Sequence, residues 1–395
     1  MPQTEIPSSE ALLDDLAHWV RQETPTTHPE MVNRLMDLAA ADLAAAGAEL
    51  TRIPGRDGFA DTLIARTPAR TPARTAARTP GRTAARPTGT DDRCVLIAGH
   101  LDTVWPPGTL DSMPYRVDGG KAHGPGIFDM KAGSFVATRV LCALLRQGIA
   151  TPRPITLLLT PDEEVGSPTS REHIEREAAR AAYVLIPEPA GAGGACVTAR
   201  KGVGRFVLRI AGRGAHAGNG FAEGASAVVE LAHQIQAIHA LVDADRGITL
   251  NAAPVWGGTR PNVIPPEAGC EIDLRVASAA DGAAMEAALL GLAARTPGCT
   301  VRVEGGMNRP SFAETPAIAA LHARAQAVAA GLGMELPKQT RGGGSDGNFT
   351  AALGVPTLDG LGCPGGGAHV HTEHIRWRQL APRAALLAGL LEVLD

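Results

Sequence analysis

RCVLIAGHLDTV, residues 93–104, runs from a near-unbroken apolar stretch straight into a histidine and an aspartate. Apolar residues without polar alternation mark a strand buried on both faces, the signature of a largely parallel sheet covered by helices. ITLLLT (155–160) and AYVLI (182–186) repeat the pattern, and VPTL (355–358) is a shorter instance. Helical periodicity fills the intervals: about 9–22, 30–46, 131–147, 316–331 and 379–394, with further strands near 48–53 and 59–65. Strands alternating with helices predict an α/β domain.

The middle third is built differently. From Gly202 the order is strand (RFVLRIAG), helix (GASAVVELAHQIQAIHALV), strand (ITLNAAPVW), strand (CEIDLRV), helix (DGAAMEAALLGLAAR) and strand (CTVRVEG). That β-α-β-β-α-β series is the split βαβ arrangement of ferredoxin-like α+β domains. The expected organisation is therefore an α/β domain formed by 1–199 and 308–395, interrupted by a smaller domain at 200–307. A chain of 395 residues suits about two domains.

Ligands in open α/β sheets bind beyond the carboxyl ends of the strands. Here those ends carry metal-ligand types. The first strand delivers His100 and Asp102, the second Glu163 and Glu164, the third Glu188, and the strand at 355–358 feeds a glycine loop ending at His369. Asp129 stands just before a helix, where a carboxylate is favoured. Singly, each has an ordinary explanation: a helix cap, a core histidine, a solvated loop acid. Four strands ending in such residues point to a common site.

His100 and Asp102 are two apart and share a face of an extended chain. Asp102 can then accept the proton of the ring nitrogen that His100 does not give to a metal. Glu163 and Glu164 are adjacent and point opposite ways, so one can ligate while the other moves protons; spacing does not say which. Histidine and carboxylate donors without cysteine suit Zn²⁺ first, with Co²⁺ or Mn²⁺ tolerated. Two divalent ions about 3.5–4 Å apart need one shared carboxylate, and Asp129 is placed to bridge them.

Other classes are disfavoured. The formal net charge of −4 gives no pull toward nucleic acid or anionic membrane. Residues 66–88 read RTPARTPARTAARTPGRTAARPT, with six arginines and no acid, which leaves about −10 on the rest. Without large apolar residues this stretch is expected to be a disordered insertion, and no aromatic side chain is interleaved for stacking on bases. Six cysteines lie scattered without a CxxC pair, indicating free thiols in a reducing, cytoplasmic compartment. The N-terminal 20 residues read as an amphipathic helix behind Ser8 or Ser9, not as a secretion signal. No stretch has the roughly 18 continuous apolar residues of a membrane span.

Seven motifs in order, HLDTV (100–104), GPGIFDMKAG (124–133), PDEEVGS (161–167), PEP (187–189), GAHAG (214–218), NVIP (262–265) and HVHTE (369–373), resemble the M20 metallopeptidases. That group includes glutamate carboxypeptidase, acetylornithine deacetylase and succinyl-diaminopimelate desuccinylase. The resemblance implies that His100 and Glu188 hold one metal, Glu164 and His369 the other, with Asp129 bridging. It makes Glu163 the general base and Asp102 the partner of His100, and it implies a non-proline cis peptide after Asp129. His369 rather than His371 matches by standing four residues before Glu373. Gly124-Pro125-Gly126 replaces the usual Gly-Arg-Gly. His216 would stabilise the oxyanion, commonly from a partner subunit, which implies a homodimer through the smaller domain. Asn262 and Arg275 match substrate-contacting positions. Arg309, in RPSF, and the loop RGGGSDGNF (341–349), with Gly343 in its glycine run, match the glutamate carboxypeptidase branch. There the arginine would hold a substrate carboxylate. The implied reaction is hydrolysis of an amide bond to an amino acid with a free carboxylate, in a dipeptide or N-acyl amino acid. The alternatives are an N-acyl amino-acid deacylase and a non-catalytic binding protein on the same fold.

Overall fold

The computed structural model describes residues 2–68 and 92–395. Most of the arginine repeat, and with it the expected disorder there, lies outside the described residues. The elements that place the site are helices α1 (Ser9–Val20) and α2 (Pro29–Ala45), then strands β1 (Glu49–Ile53), β2 (Thr62–Arg66) and β3 (Cys94–His100). They continue with α3 (Ala132–Gln147), β4 (Ile155–Thr160), α4 (Arg171–Ala178) and β5 (Ala181–Leu185). The middle of the chain gives β6 (Gly202–Ala211), α5 (Ala227–His239), β7 (Thr249–Gly257), β8 (Glu267–Val276), α6 (Ala279–Leu290) and β9 (Thr300–Arg309). The last are α7 (Pro316–Gly331), β10 (Thr357–Leu358) and α8 (Leu380–Val393).

The chain divides into two compact units, one of residues 1–198, 315–339 and 353–395, the other of 199–314 and 340–352. The boundary differs from the sequence expectation in one respect. RPSF and the loop 341–349, expected in the α/β domain, pack in the smaller unit, where Asn348 Nδ2 donates to the carbonyls of Lys201 and Pro310.

In the larger unit a six-stranded sheet runs β1-β2-β4-β3-β5-β10. The four strands from β4 to β10 are parallel, while β2 pairs antiparallel with β4 and β1 antiparallel with β2. Every residue of β3 and β4 is buried, as the unbroken apolar runs require. Leu16, Leu35, Phe135, Val140 and Leu387, from α1, α2, α3 and α8, are among the residues that bury this sheet. Arg66, expected at the start of the insertion, instead ends β2 by pairing with Thr156, and the following Thr67 donates its N–H to the Ile155 carbonyl.

The smaller unit has an antiparallel sheet in the order β7-β8-β6-β9, the ferredoxin-like order. Phe206, Leu208 and Ile210 on β6, with Cys270, Ile272 and Leu274 on β8, alternate inward and pack with Leu231 and Ile238 of α5 and Leu289 of α6. The six cysteines are all buried and free, and burial pushes the thiols of Cys196 and Cys363 up to about 12. No helix among the described residues is long and apolar enough to cross a membrane.

Candidate metal centre

β3 ends on His100, β4 is followed by a short turn at Glu163–Val165, and β5 ends three residues before Glu188. Because β4, β3 and β5 are parallel neighbours, their carboxyl ends present these side chains on one rim. Asp129 lies in the irregular turn 127–131 that leads into α3, and the Asp129–Met130 peptide is cis. Gly126 enters this turn at φ 71°, where a Cβ would also strike the Thr103 methyl at 2.2 Å; only glycine fits. His369 follows the glycine run and itself adopts φ 62°. For a residue with a side chain this costs on the order of 1–3 kcal/mol and aims the imidazole inward.

The two oxygens of Asp129 face two different histidines. Oδ1 is 3.4 Å from His100 Nε2, and Oδ2 is 3.3 Å from His369 Nε2. Glu188 Oε1 lies 3.6 Å from His100 Nε2, and Glu164 Oε2 lies 3.3 Å from His369 Nε2. Glu163 Oε2 stands further off, 3.9 Å from His100 Nε2. Two donors each about 2.0–2.1 Å from one tetrahedral ion are about 3.3–3.4 Å apart. Three of the four spacings match that separation and the fourth, Glu188 to His100 at 3.6 Å, is slightly wider, so each half of the cluster is close to the size of a cation cage. His100 Nε2 and Glu164 Oε1 are buried without a hydrogen-bond partner, which a coordinated ion would supply. This donor set fits divalent cations.

The electrostatics agree. Burial, with the like charges of Asp129 and Glu163, raises the pKa of Glu164 despite its contact with His369. Burial would also raise Asp129, but the imidazoles of His100 and His369 beside it win and hold it well below the usual carboxylate range. Hydrogen bonds to Asp129 and Glu164 push His369 up to about 10. Burial opposes the charging of His100, yet Asp102 and Asp129 raise it well above its ordinary value. Too many carboxylates share too few cations, and bound metal would relieve the excess.

Asp102 is fully buried and does two things. Its Oδ1 is 3.3 Å from His100 Nδ1, and it accepts the backbone N–H groups of Glu163 and Glu164 at 3.2 Å each, with Thr26 Oγ1 at 2.8 Å. His100 Nδ1 also lies 3.0 Å from the Asp102 carbonyl, so the imidazole is oriented with Nε2 toward the cluster. His371 does not face Asp129; its ring packs edge-on against Trp105.

The remaining predicted residues lie in the smaller unit. His216 is exposed, and its Nδ1 accepts the N–H groups of Gly218 and Asn219 at 3.1 Å, which leaves the proton on Nε2. His216 pairs antiparallel with Val263, and the preceding Asn262 accepts the Ala217 N–H through its carbonyl. Arg275 is held by both carboxylate oxygens of Asp273, at 2.7 and 2.8 Å. Arg309 is buried, 3.0 Å from Asp346 and stacked over Phe349, so its guanidinium already has a carboxylate partner. Gly343 has open space where a Cβ would stand, and its carbonyl accepts from Arg200.

Sequence reasoning missed the buried residues around the Asp129 turn. Glu373 served only as a spacing landmark and Lys131 as a helix start, yet both are fully buried. A charged residue inside each of two motifs was the available signal.

The model of peptidase family M20/M25/M40 matches residues 96–393. Carboxypeptidase G2 of Pseudomonas sp. (strain RS-16) is 33% identical over 310 residues, covering 77% of this chain and 74% of that protein. A succinyl-diaminopimelate desuccinylase of Verminephrobacter eiseniae is 29% identical over 372 residues, 86% of each. Among solved structures, the aminopeptidase PepT of Bacillus cereus superposes with a TM-score of 0.73 at 21% identity, covering 98% of both chains. The M20 family metallo-carboxypeptidase Sso-CP2 of Sulfolobus solfataricus gives 0.68 at 16% identity, covering 97% of this chain and 99% of that one. With the motifs in family order and the fold shared along the whole chain, this protein belongs to the M20/M25/M40 peptidases and is a hydrolase of that family.

Proposed function

We propose that this hydrolase uses two divalent metal ions, Zn²⁺ by preference, to cleave the amide bond of an amino acid bearing a free carboxylate. The observation that carries the reading is Asp129, whose two oxygens each meet a different histidine. His100, Glu188 and Asp129 Oδ1 would hold one ion; His369, Glu164 and Asp129 Oδ2 the other. Bound in this way, a divalent pair polarises a carbonyl and acidifies water. Glu163, set back from the ligand spacings, takes the proton of the attacking water and returns it to the leaving amine. Asp102 orients His100. His216, with Nδ1 committed to backbone N–H groups, presents Nε2–H as a donor to the developing oxyanion.

Arg309 is assigned to the substrate carboxylate, with Asp346 yielding a hydrogen bond to it; Asn262, Arg275 and Gly343 complete substrate contact. The likeness to carboxypeptidase G2 favours an acidic, glutamate-type C-terminal residue, and that to the desuccinylases supports N-acyl amino-acid deacylation as the second reading. A homodimer through the smaller unit is supported by the exposed Phe221, Val228, Val229, Val255 and Trp256. The buried free thiols support a reducing, cytoplasmic setting. The test is a hydrolysis screen of peptidyl- and N-acyl amino acids after zinc or cobalt reconstitution. Turnover is expected for substrates with a free carboxylate and lost in their amides. Equal turnover of acid and amide forms would remove the substrate assignment.

A further inference from the structure

The Asp129 turn is held by a carboxylate that the chemistry above does not use. Glu373 is fully buried, and four N–H donors converge on it. Its Oε2 accepts Trp105 Nε1 at 2.7 Å and the Gly126 N–H at 2.9 Å, while Oε1 accepts the N–H groups of Phe128 at 2.9 Å and Asp129 at 3.0 Å. A carboxylate offers about four acceptor directions, and here all four are taken. From the opposite side, fully buried Lys131 donates Nζ to the carbonyls of Pro125 at 3.1 Å and Gln22 at 2.7 Å. A carboxylate therefore gathers the N–H groups of the turn and a buried amine donates to one of its carbonyls.

Three segments meet at Glu373. The indole belongs to the segment that leaves β3 just past His100. The backbone N–H groups belong to the turn carrying Asp129. Glu373 itself is four residues beyond His369, in a tight turn whose Gly367 has backbone 2.8 Å from where a Cβ would be. One side chain ties together the supports of the two histidines and of the carboxylate between them. Matched spacings of 3.4 and 3.3 Å on either side of Asp129 need such a tie, because independent movement of any segment would open one half.

We infer that Glu373 is a positioning residue that sets Asp129 between His100 and His369 by binding the N–H groups of the Asp129 turn. Lys131 supports it by holding the carbonyl side of that turn. The inference rests on the two-metal reading and adds the group that fixes the spacing. Glu373→Gln keeps the size, but its single oxygen can accept only about two of the four bonds.

The experiment compares wild type and Glu373→Gln for zinc stoichiometry, chelator-competition affinity, kcat and KM, and the indole N–H resonance of Trp105, assigned with Trp105→Phe. In the variant the weaker zinc should bind about 10–100-fold less tightly, as when an outer partner of a ligand is lost. Its kcat should fall with KM little changed, and the Trp105 resonance should move. Zinc affinity and kcat both within threefold of wild type would overturn the inference. If Glu373→Gln does not fold, Trp105→Phe, which removes one donor, decides: at least a threefold loss of zinc affinity is expected, and none would overturn it. Wild type that binds fewer than two ions would instead defeat the two-metal reading itself.

Discussion

Replacing Glu163 with glutamine separates chemistry from metal binding. The change is isosteric, and the backbone N–H of Glu163, which reaches Asp102 at 3.2 Å, is unaltered. The side chain lies 3.9 Å from His100 Nε2, beyond the 3.3–3.6 Å spacings of the assigned ligands, so both cages keep their donors. What disappears is the basic oxygen. Positioned general acid–base groups contribute about 10²–10⁴-fold, equivalent to about 2.7–5.4 kcal/mol of barrier. Removing this negative charge relieves repulsion on Glu164 and also removes attraction to His100, so the metal-free variant should melt close to wild type. The assay is steady-state hydrolysis of the best substrate from the screen, with metal content and melting temperature measured on the same sample. A kcat loss of about 10²–10⁴ at unchanged metal content and stability is expected. Activity within tenfold of wild type, or inactivity explained by lost metal, would refute the assignment of Glu163 as base.

Asp102→Asn should lower metal affinity by about 10–100-fold by loosening His100, read by chelator competition; unchanged affinity would leave Asp102 with only its backbone contacts. His216→Ala should cost about 10²–10³ in kcat with metal content and KM little altered, the signature of a lost oxyanion donor. Metal affinity should rise with pH. The carboxylates of Asp129 and Glu164 raise His369 to about 10, and burial raises Glu164, so in the metal-free protein this pair holds at least one proton that binding must release. The same raised values mean that the metal-free fold is favoured at low pH and loses this contribution as pH rises through them. The zinc-induced gain in melting temperature should therefore grow between pH 6 and pH 9, checked by thermal denaturation with and without zinc.

The parts of this molecule that could be read from its sequence are those where a local pattern dictates burial. Apolar runs at 94–98 and 155–160 could only be two-faced strands, and the donors just beyond them then had to share a rim. Elements without such a signal escaped. α4, REHIEREA, has only Ile174 and Ala178 as apolar residues and so lacks a stripe to recognise. The three-residue strands Arg116–Asp118 and Lys121–His123 are too short for alternation to show. His369 was separated from His371 only by its four-residue spacing to Glu373; the physical reason, a turn that sends one toward Asp129 and the other against Trp105, needed the fold. Glu373 was marked only by standing inside a motif: three of its four donors are backbone N–H groups some 245 residues away, which leave no mark on side-chain type. Arg275 lies two residues from Asp273 on one strand face, a pairing that matching Arg275 to a substrate-contacting position did not bring out. The engagement of Arg309 by Asp346 needed the fold.

Elemental analysis of the zinc-reconstituted wild type and of Asp129→Ala, after exhaustive removal of loosely held metal, tests the shared-aspartate account most directly. Two ions per chain are predicted in the wild type, with loss of tight binding at both positions and of turnover in the variant. One ion or none in fully active wild type, or two retained ions in an active Asp129→Ala protein, would contradict it.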